Sequence, residues 1–254
     1  MRPIVTVFVI ATKNYVHYVT QLISSIPNLG NRDFVFQFIL LTDDVAAAAR
    51  INPSEHDDYI SIFEIESLGW PEATLYRFEL MTKHWSAVNG SIVMYMDADT
   101  EFVANFSYSD LLTAVESSAS GMVLVRHPGY FKRFFLWKPV FKSRIGPWER
   151  KRASLAFVPI IRRGHYVCGG VYWGLSDSFL RMSTQLAQNI STDESNFVRA
   201  KHNDESHLNW WLSQNSSSTV TPAWAFASGY RNLKTLTPII EVVHKPDSFE
   251  RIPT

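Results

Sequence analysis

The chain has a single cysteine, Cys168, so no disulfide can form within it and nothing here calls for an oxidising compartment. It also lacks any surplus of one charge, since Lys plus Arg and Asp plus Glu both number 24. A nucleic-acid binder ordinarily carries a basic excess, and that class is set aside. The apolar run near the start, Ile4-Val5-Thr6-Val7-Phe8-Val9-Ile10, is too short to span a bilayer, and no small-residue cleavage site follows it. It reads as a buried strand, and the expectation is a soluble, cytoplasmic protein without a membrane anchor. G-x-G-x-x-G, a Walker loop and G-x-S-x-G are missing too, which removes the usual dehydrogenase, phosphotransferase and hydrolase readings.

What is present is an ordinary globular composition. Apolar residues make up 46% and charged residues 19%, and a chain of 254 residues buries enough surface to need no staples. Aromatic content is high, at 14% with eight Trp, as suits either a large core or the stacking of sugar rings. Strand-like runs alternate with helical ones: Val5–Ile10, a helix over Tyr15–Ile26, Phe34–Leu41, a short helix at Ala46–Ala49, Tyr59–Ile65, a helix over Pro71–Trp85, Ile92–Met96 and Met122–Val125. This alternation predicts an α/β fold with a mostly parallel sheet covered on both faces. From Tyr130 to Pro159 the chain is rich in Lys, Arg, Phe and Trp without a period, which predicts an irregular region. No linker separates it, so 1–254 is read as one domain.

Four constellations carry chemistry. Asp97-Ala98-Asp99 directly follows an apolar strand, where ligands of open α/β sheets bind. Two hard carboxylates there suit a divalent ion that neutralises a leaving diphosphate, although such a triplet reads equally well as an acidic turn. In His202-Asn203-Asp204-Glu205-Ser206-His207-Leu208-Asn209, Asp204 is a good helix N-cap and Glu205 an anion in the first turn. A carboxylate so held suits a nucleophile or an electrostatic stabiliser facing an oxocarbenium ion; a capped surface helix is the plain alternative. Gly169-Gly170, inside an apolar run after Cys168, offers a floor for a ligand or else a bulge at a sheet edge. Lys245 and Arg251 near the C-terminus suit a diphosphate clamp or a solvated tail.

Taken in order, these elements resemble glycosyltransferase family 6, the family of the blood-group A and B transferases and the α-1,3-galactosyltransferase. Thr6 to Ile10 with Tyr15 is similar to its opening strand, and Trp70-Pro71-Glu72-Ala73-Thr74-Leu75-Tyr76-Arg77 to the segment whose Arg reaches the nucleotide and donor sugar. Asp97-Ala98-Asp99 falls on its D-x-D, Arg126-His127-Pro128-Gly129-Tyr130 on its H-P-G-[FY] loop, and Trp148-Glu149-Arg150 through Pro159 on a Y-E-R-R-x-x-S-x-A-Y-I-P stretch. Tyr166 to Gly174 matches Y-Y-x-G-G-x-F-x-G, and Asp204 to Asn209 is identical to D-E-S-H-L-N.

The resemblance implies a GT-A fold, Rossmann-like, with a nucleotide-binding half over about 1–125 and an acceptor and donor-sugar half beyond. It implies a UDP-linked galactose or N-acetylgalactosamine donor, manganese or another divalent cation, and a retained α-1,3 linkage to a glycan acceptor. Carried over, Glu205 lies beneath the anomeric carbon. Phe8, Val9, Ile10, Tyr15, Arg77, Asp97, Ala98, Asp99, Cys168, Gly169, Gly170, Asp204, Lys245 and Arg251 handle the donor, and Asp97 and Asp99 the metal. His127 and Trp224 meet the acceptor. Cys168 and Gly170 fall where the donor's C2 substituent is discriminated, and the Gly favours an N-acetyl group. The chain departs from the family where His202-Asn203 replace Trp-His, and where Thr221-Pro222-Ala223-Trp224-Ala225-Phe226-Ala227 lacks the acid of S-P-E-Y-x-W-D. It carries no anchor or stem and keeps D-x-D, as a bacterial or phage-type member with an animal-type metal site would. Other readings are a GT-A transferase with a different donor, or an idle sugar-nucleotide or glycan-binding protein.

Overall fold

The computed structural model describes residues 2–30, 32–52, 57–131, 146–230 and 233–243. Its strands are β1 (Ile4–Ala11), β2 (Val35–Thr42), β3 (Tyr59–Glu64), β4 (Ile92–Met96), β5 (Thr100–Phe102), β6 (Met122–Arg126), β7 (Val167–Leu175), β8 (Ser218–Val220) and β9 (Ile240–Val242). Its helices are α1 (Val16–Ser24), α2 (Val45–Ala48), α3 (Glu72–Leu75), α4 (Arg77–Lys83), α5 (Tyr108–Glu116), α6 (Ser176–Ser195) and α7 (Asn203–Gln214).

Seven strands form one sheet in the order β3-β2-β1-β4-β7-β6-β8, and β5 pairs with β9 in a small antiparallel ribbon. All neighbours in the large sheet are parallel except β7, which runs antiparallel to β4 and β6. The mostly parallel sheet expected from the alternation is therefore present. Its central strands are apolar throughout because helices cover both faces. On β1, Val5, Val7, Val9 and Ala11 pack with α1 and α5, whereas Phe8 and Ile10 pack with α4, α6 and α7. Thr6 fits between by bonding Gln37 of β2 at 2.7 Å.

Three local expectations are corrected. Pro71–Trp85 is two helices rather than one, broken at Tyr76, with Pro71 in the cap position and a cis Trp70–Pro71 bond. The break has a physical use, because it turns Arg77 inward, where its Nε donates to the Thr74 carbonyl at 3.1 Å. Asp204 is not the cap of α7: the helix begins at Asn203, whose φ is +40°, and His202 occupies the cap position. Gly169-Gly170 lies on an interior strand, not at an edge, although the register of β6 and β7 does shift between Leu124 and Arg126. As expected for an irregular region, residues 146–166 contain a single 3-10 turn, Ile160–Arg162, and no strand or α-helix; residues 132–145 lie outside those described.

Among the described residues, no helix is long and apolar enough to cross a membrane. The entry to β4 is a tight joint of the sheet. A Cβ on Gly90 would lie 2.6 Å from the Ile4 carbonyl, 2.8 Å from the Thr6 nitrogen and 2.9 Å from the Ile92 carbonyl, all backbone atoms that cannot swing away. Gly90→Ala is expected to cost about 2 kcal/mol or more in chemical denaturation, at the upper end of overpacking effects. A cost under about 0.5 kcal/mol would show that the joint yields.

Candidate active site

The site is built where the carboxyl end of β4, the middle of β7 and the start of α7 converge on Arg77. Arg77 is 3% exposed, and an unpaired guanidinium so placed would be prohibitive. Its Nη1 donates to the Gly169 carbonyl at 2.6 Å and lies 3.3 Å from Asp204 Oδ2; its Nη2 lies 3.4 Å from Asp97 Oδ1. The face of Tyr95 covers it, with Cζ 4.4 Å from the ring centre. Burial works against its charge, but Asp204, Tyr95 and Asp97 outweigh that and hold its pKa above the ordinary value.

Asp97 leaves β4 with its N–H donating to the Gly170 carbonyl at 2.8 Å, and Oδ1 accepts from the Tyr95 hydroxyl at 2.9 Å. Burial pushes its carboxyl up to about 6; Arg77 pulls it down and Asp99 raises it again. With 38% of its side chain open, Asp97 keeps access to solvent and to a ligand. Asp99 is 7% exposed, its carbonyl accepts from the Val243 N–H at 2.8 Å, and Ala98 between the two carboxylates is core.

The two glycines are required by the carboxylates. A Cβ on Gly169 would stand 2.7 Å from Asp204 Oδ2, and one on Gly170 would stand 2.9 Å from Asp97 Oδ2. They let acids from two elements close onto a single strand. The Gly169 N–H donates to Glu205 Oε2 at 3.3 Å, so Arg77, Asp97, Asp204 and Glu205 all border one dipeptide. Burial pushes Glu205 up to about 7; Tyr166 opposes that and Asp204 adds to it.

Asn209, one turn after Glu205, donates to the Glu205 carbonyl at 2.8 Å. Its amide also bonds both backbone groups of Val167, at 2.8 and 2.9 Å, which ties α7 to β7. Tyr166 is 3% exposed and its hydroxyl meets no partner at hydrogen-bonding geometry, yet it interacts with Glu205: burial first, then the Glu205 charge, push the phenol up. His127 joins here, its N–H donating to the Tyr166 carbonyl at 2.9 Å and its Nδ1 accepting from the Gly129 N–H at 3.0 Å.

Other expected site residues fall elsewhere. Phe8 and Val9 have no exposed surface, and Phe8 packs in a cluster of three rings with Trp85 and Phe179. Their side chains belong to the core; β1 reaches its carboxyl end two to three residues later, at Ala11 and Thr12, just past the 8%-exposed Ile10. Tyr15 packs beside Tyr18 at the edge of the core. Trp224 is also a core residue, 8% exposed, with ring centres 4.8 Å from Trp173 and 5.0 Å from Phe106. Cys168 is buried and its thiol is pushed up to about 12 by burial and by Glu205, which leaves it unreactive. Lys245 and Arg251 lie outside the described residues.

Tyr95 and Asn209 were missed by the sequence reading although their spacing marks them. Tyr95 is two residues before Asp97 along the strand exit, and Asn209 is four after Glu205 on a helix.

With this geometry established, comparison with known proteins is decisive. The family model for Glycosyltransferase family 6 matches residues 2–242. The chain belongs to glycosyltransferase family 6. It is 25% identical over 233 residues to the O-antigen biosynthesis glycosyltransferase WbnI of Escherichia coli, covering 89% of both chains. It is 24% identical to the globoside alpha-1,3-N-acetylgalactosaminyltransferase 1 of Gallus gallus and 25% identical to that of Homo sapiens, covering 84% and 87% of this chain. The chain spans 59% of the length of each of these two animal relatives. Membership makes the mixed sheet a GT-A nucleotide-sugar transferase fold and the protein a hexosyltransferase.

The raised Glu205 pKa has a thermodynamic consequence. A carboxyl whose folded pKa exceeds its unfolded value binds more protons when native, so it lowers stability as pH rises from about 4.3 through about 7. Glu205→Gln is expected to flatten that decline and to be more stable than wild type by at least about 1 kcal/mol at pH 8, in denaturation series run across pH. An unchanged decline would show that Glu205 ionises in an ordinary environment.

Proposed function

We propose that this family 6 enzyme moves N-acetylgalactosamine, or galactose, from a UDP-sugar to a galactose-containing glycan in α-1,3 linkage, with retention at the anomeric carbon. The observation that carries the reading is the Gly169-Gly170 dipeptide, which holds Glu205 on one side and Asp97 on the other. That spacing suits a sugar diphosphate, with the diphosphate toward Asp97 and Asp99 and the sugar over the glycine floor. The names of the relatives, an O-antigen transferase and globoside α-1,3-N-acetylgalactosaminyltransferases, favour a glycan acceptor and the α-1,3 bond.

The residues fit a divalent cation. Two carboxylates, Asp97 and Asp204, pair with the one buried cation, Arg77, and Asp99 and Glu205 stand beside them, so a diphosphate would need further positive charge to enter. Among the described residues no cluster of three or more His, Cys, Asp or Glu forms a complete cage. A Mg2+- or Mn2+-type ion needs only one or two carboxylates, sharing its remaining positions with substrate phosphates and water. Asp97 and Asp99 would hold it, and a bound Mn2+ would supply charge neutralisation for the departing UDP.

The chain's own groups do the rest. Arg77 fixes the Asp97 and Asp204 carboxylates, leaving Asp204 within reach of donor-sugar hydroxyls. Glu205, ionised, faces the positive charge that develops at the anomeric carbon as the bond to the diphosphate breaks. The acceptor hydroxyl takes that position on the face UDP leaves, and the departing phosphate oxygen accepts its proton. His127 and Tyr130, 4.9 Å apart, border the acceptor side. Gly170 puts no side chain of its own at the position where the resemblance sets the donor's C2 substituent, and that favours an N-acetyl group.

Turnover of UDP-N-acetylgalactosamine should cease in EDTA and return with Mn2+, and EDTA-insensitive turnover would remove the metal from the account. Glu205→Gln should lower turnover at least about a hundredfold, the scale of losing charge stabilisation in a transition state. Near-normal turnover in that variant would refute its role. Titrating both donors against one acceptor checks the donor, and a clear preference for UDP-galactose would reverse the assignment.

A further inference from the structure

The charges of this protein balance overall, but not in the segment between the His127 loop and β7. Residues 146–166 carry Arg150, Lys151, Arg152, Arg162 and Arg163 against a single acid, Glu149. Glu149 does not offset them at the surface. It is 3% exposed, and its carboxylate is taken by the N–H groups of Arg150 and Lys151, both at 2.7 Å, and of Lys201 at 2.5 Å.

The segment folds back on itself, the Val158 N–H reaching the Glu149 carbonyl at 3.4 Å. This brings the two basic runs together: Arg163 Nε donates to the Val158 carbonyl at 3.0 Å, and the charge of Arg150 is felt at Arg163. Beside them, on the 3-10 turn, stand Ile160 and Ile161, 57% and 78% exposed, and Leu155 is 41% exposed. One exposed aliphatic residue needs no explanation. Two adjacent isoleucines next to clustered Arg and Lys have the composition of a surface that enters the headgroup layer of an anionic bilayer. A nucleic acid would want stacking rings rather than isoleucines here, and the overall charge gives it no support.

We propose that this face seats the protein peripherally on an anionic membrane, with Ile160 and Ile161 in the headgroup layer and the exposed Arg150, Lys151, Arg152 and Arg162 side chains against lipid phosphates. The same segment adjoins the acceptor side of the cleft, since Trp148 packs edge-on against Tyr166 at 5.1 Å. An acceptor presented at a membrane would therefore meet the site directly. No turnover is needed for the docking, so it is separable from the reaction proposed above.

The test is co-sedimentation of the intact protein with vesicles of phosphatidylcholine alone and with about a third phosphatidylglycerol. Binding is expected only to the anionic vesicles. Ile160→Ser/Ile161→Ser and Arg150→Gln/Lys151→Gln/Arg152→Gln should each weaken it at least about tenfold, while UDP binding and circular dichroism stay as in wild type. Failure to sediment, equal binding to neutral vesicles, or binding that the isoleucine variant leaves intact would each overturn the proposal.

Discussion

The organisation of this site depends on one buried guanidinium. Arg77 leaves water only because Asp97, Asp204, the Gly169 and Thr74 carbonyls and the Tyr95 ring replace its hydration. These five partners come from four parts of the chain, so satisfying one cation fixes the mutual placement of β4, β7, α3 and α7. The break at Tyr76 lies directly before Arg77, whose Nε donates to the Thr74 carbonyl on the far side of it. Removing Arg77 would leave acids buried without a counter-charge, which is more costly than the loss of any single contact.

The arrangement is unbalanced by design of its chemistry. Two glycines let carboxylates from β4 and α7 approach one strand, and together with Asp99 they outnumber the single cation. If the leaving group is a diphosphate, as proposed, such an excess calls for a further cation to arrive with the substrate. Burial, with Asp204 adding to it, pushes the Glu205 pKa up, so its charge is unwelcome in the site as it stands; in the proposed reaction it would face the positive charge at the anomeric carbon. Stability is thus lower at neutral pH for a group that the transition state would use.

Much of the fold was legible in the sequence. The apolar strands and the intervening helices lie where period and composition put them, because strands buried on both faces cannot be polar and helices covering them must show one apolar side. Tyr76 escaped that reading, since helical periodicity continues through it. Asp204 suited an N-cap by local rules, but Arg77 lies far away in sequence and claims its carboxylate. Phe8 and Val9 were assigned to the nucleotide through the resemblance of their strand to the family's opening strand, and their side chains fill the core on opposite faces of the sheet. Trp224 illustrates the ambiguity of tryptophan, which here packs against Trp173 and Phe106. Arg77 has no local signature of function at all and was reached only through the resemblance of its segment to a family pattern.

The central claim is electrostatic, and 13C NMR titration of the Asp and Glu side-chain carboxyls addresses it most directly, in wild type and in Arg77→Met. With Arg77 present, Glu205 should titrate near 7 and Asp97 near 6, both above the ordinary carboxylate range. Without it, Asp97, Asp204 and Glu205 should all move higher, having lost the cation that holds them ionised. Midpoints near 4 in the wild type, or midpoints unmoved by Arg77→Met, would contradict the account.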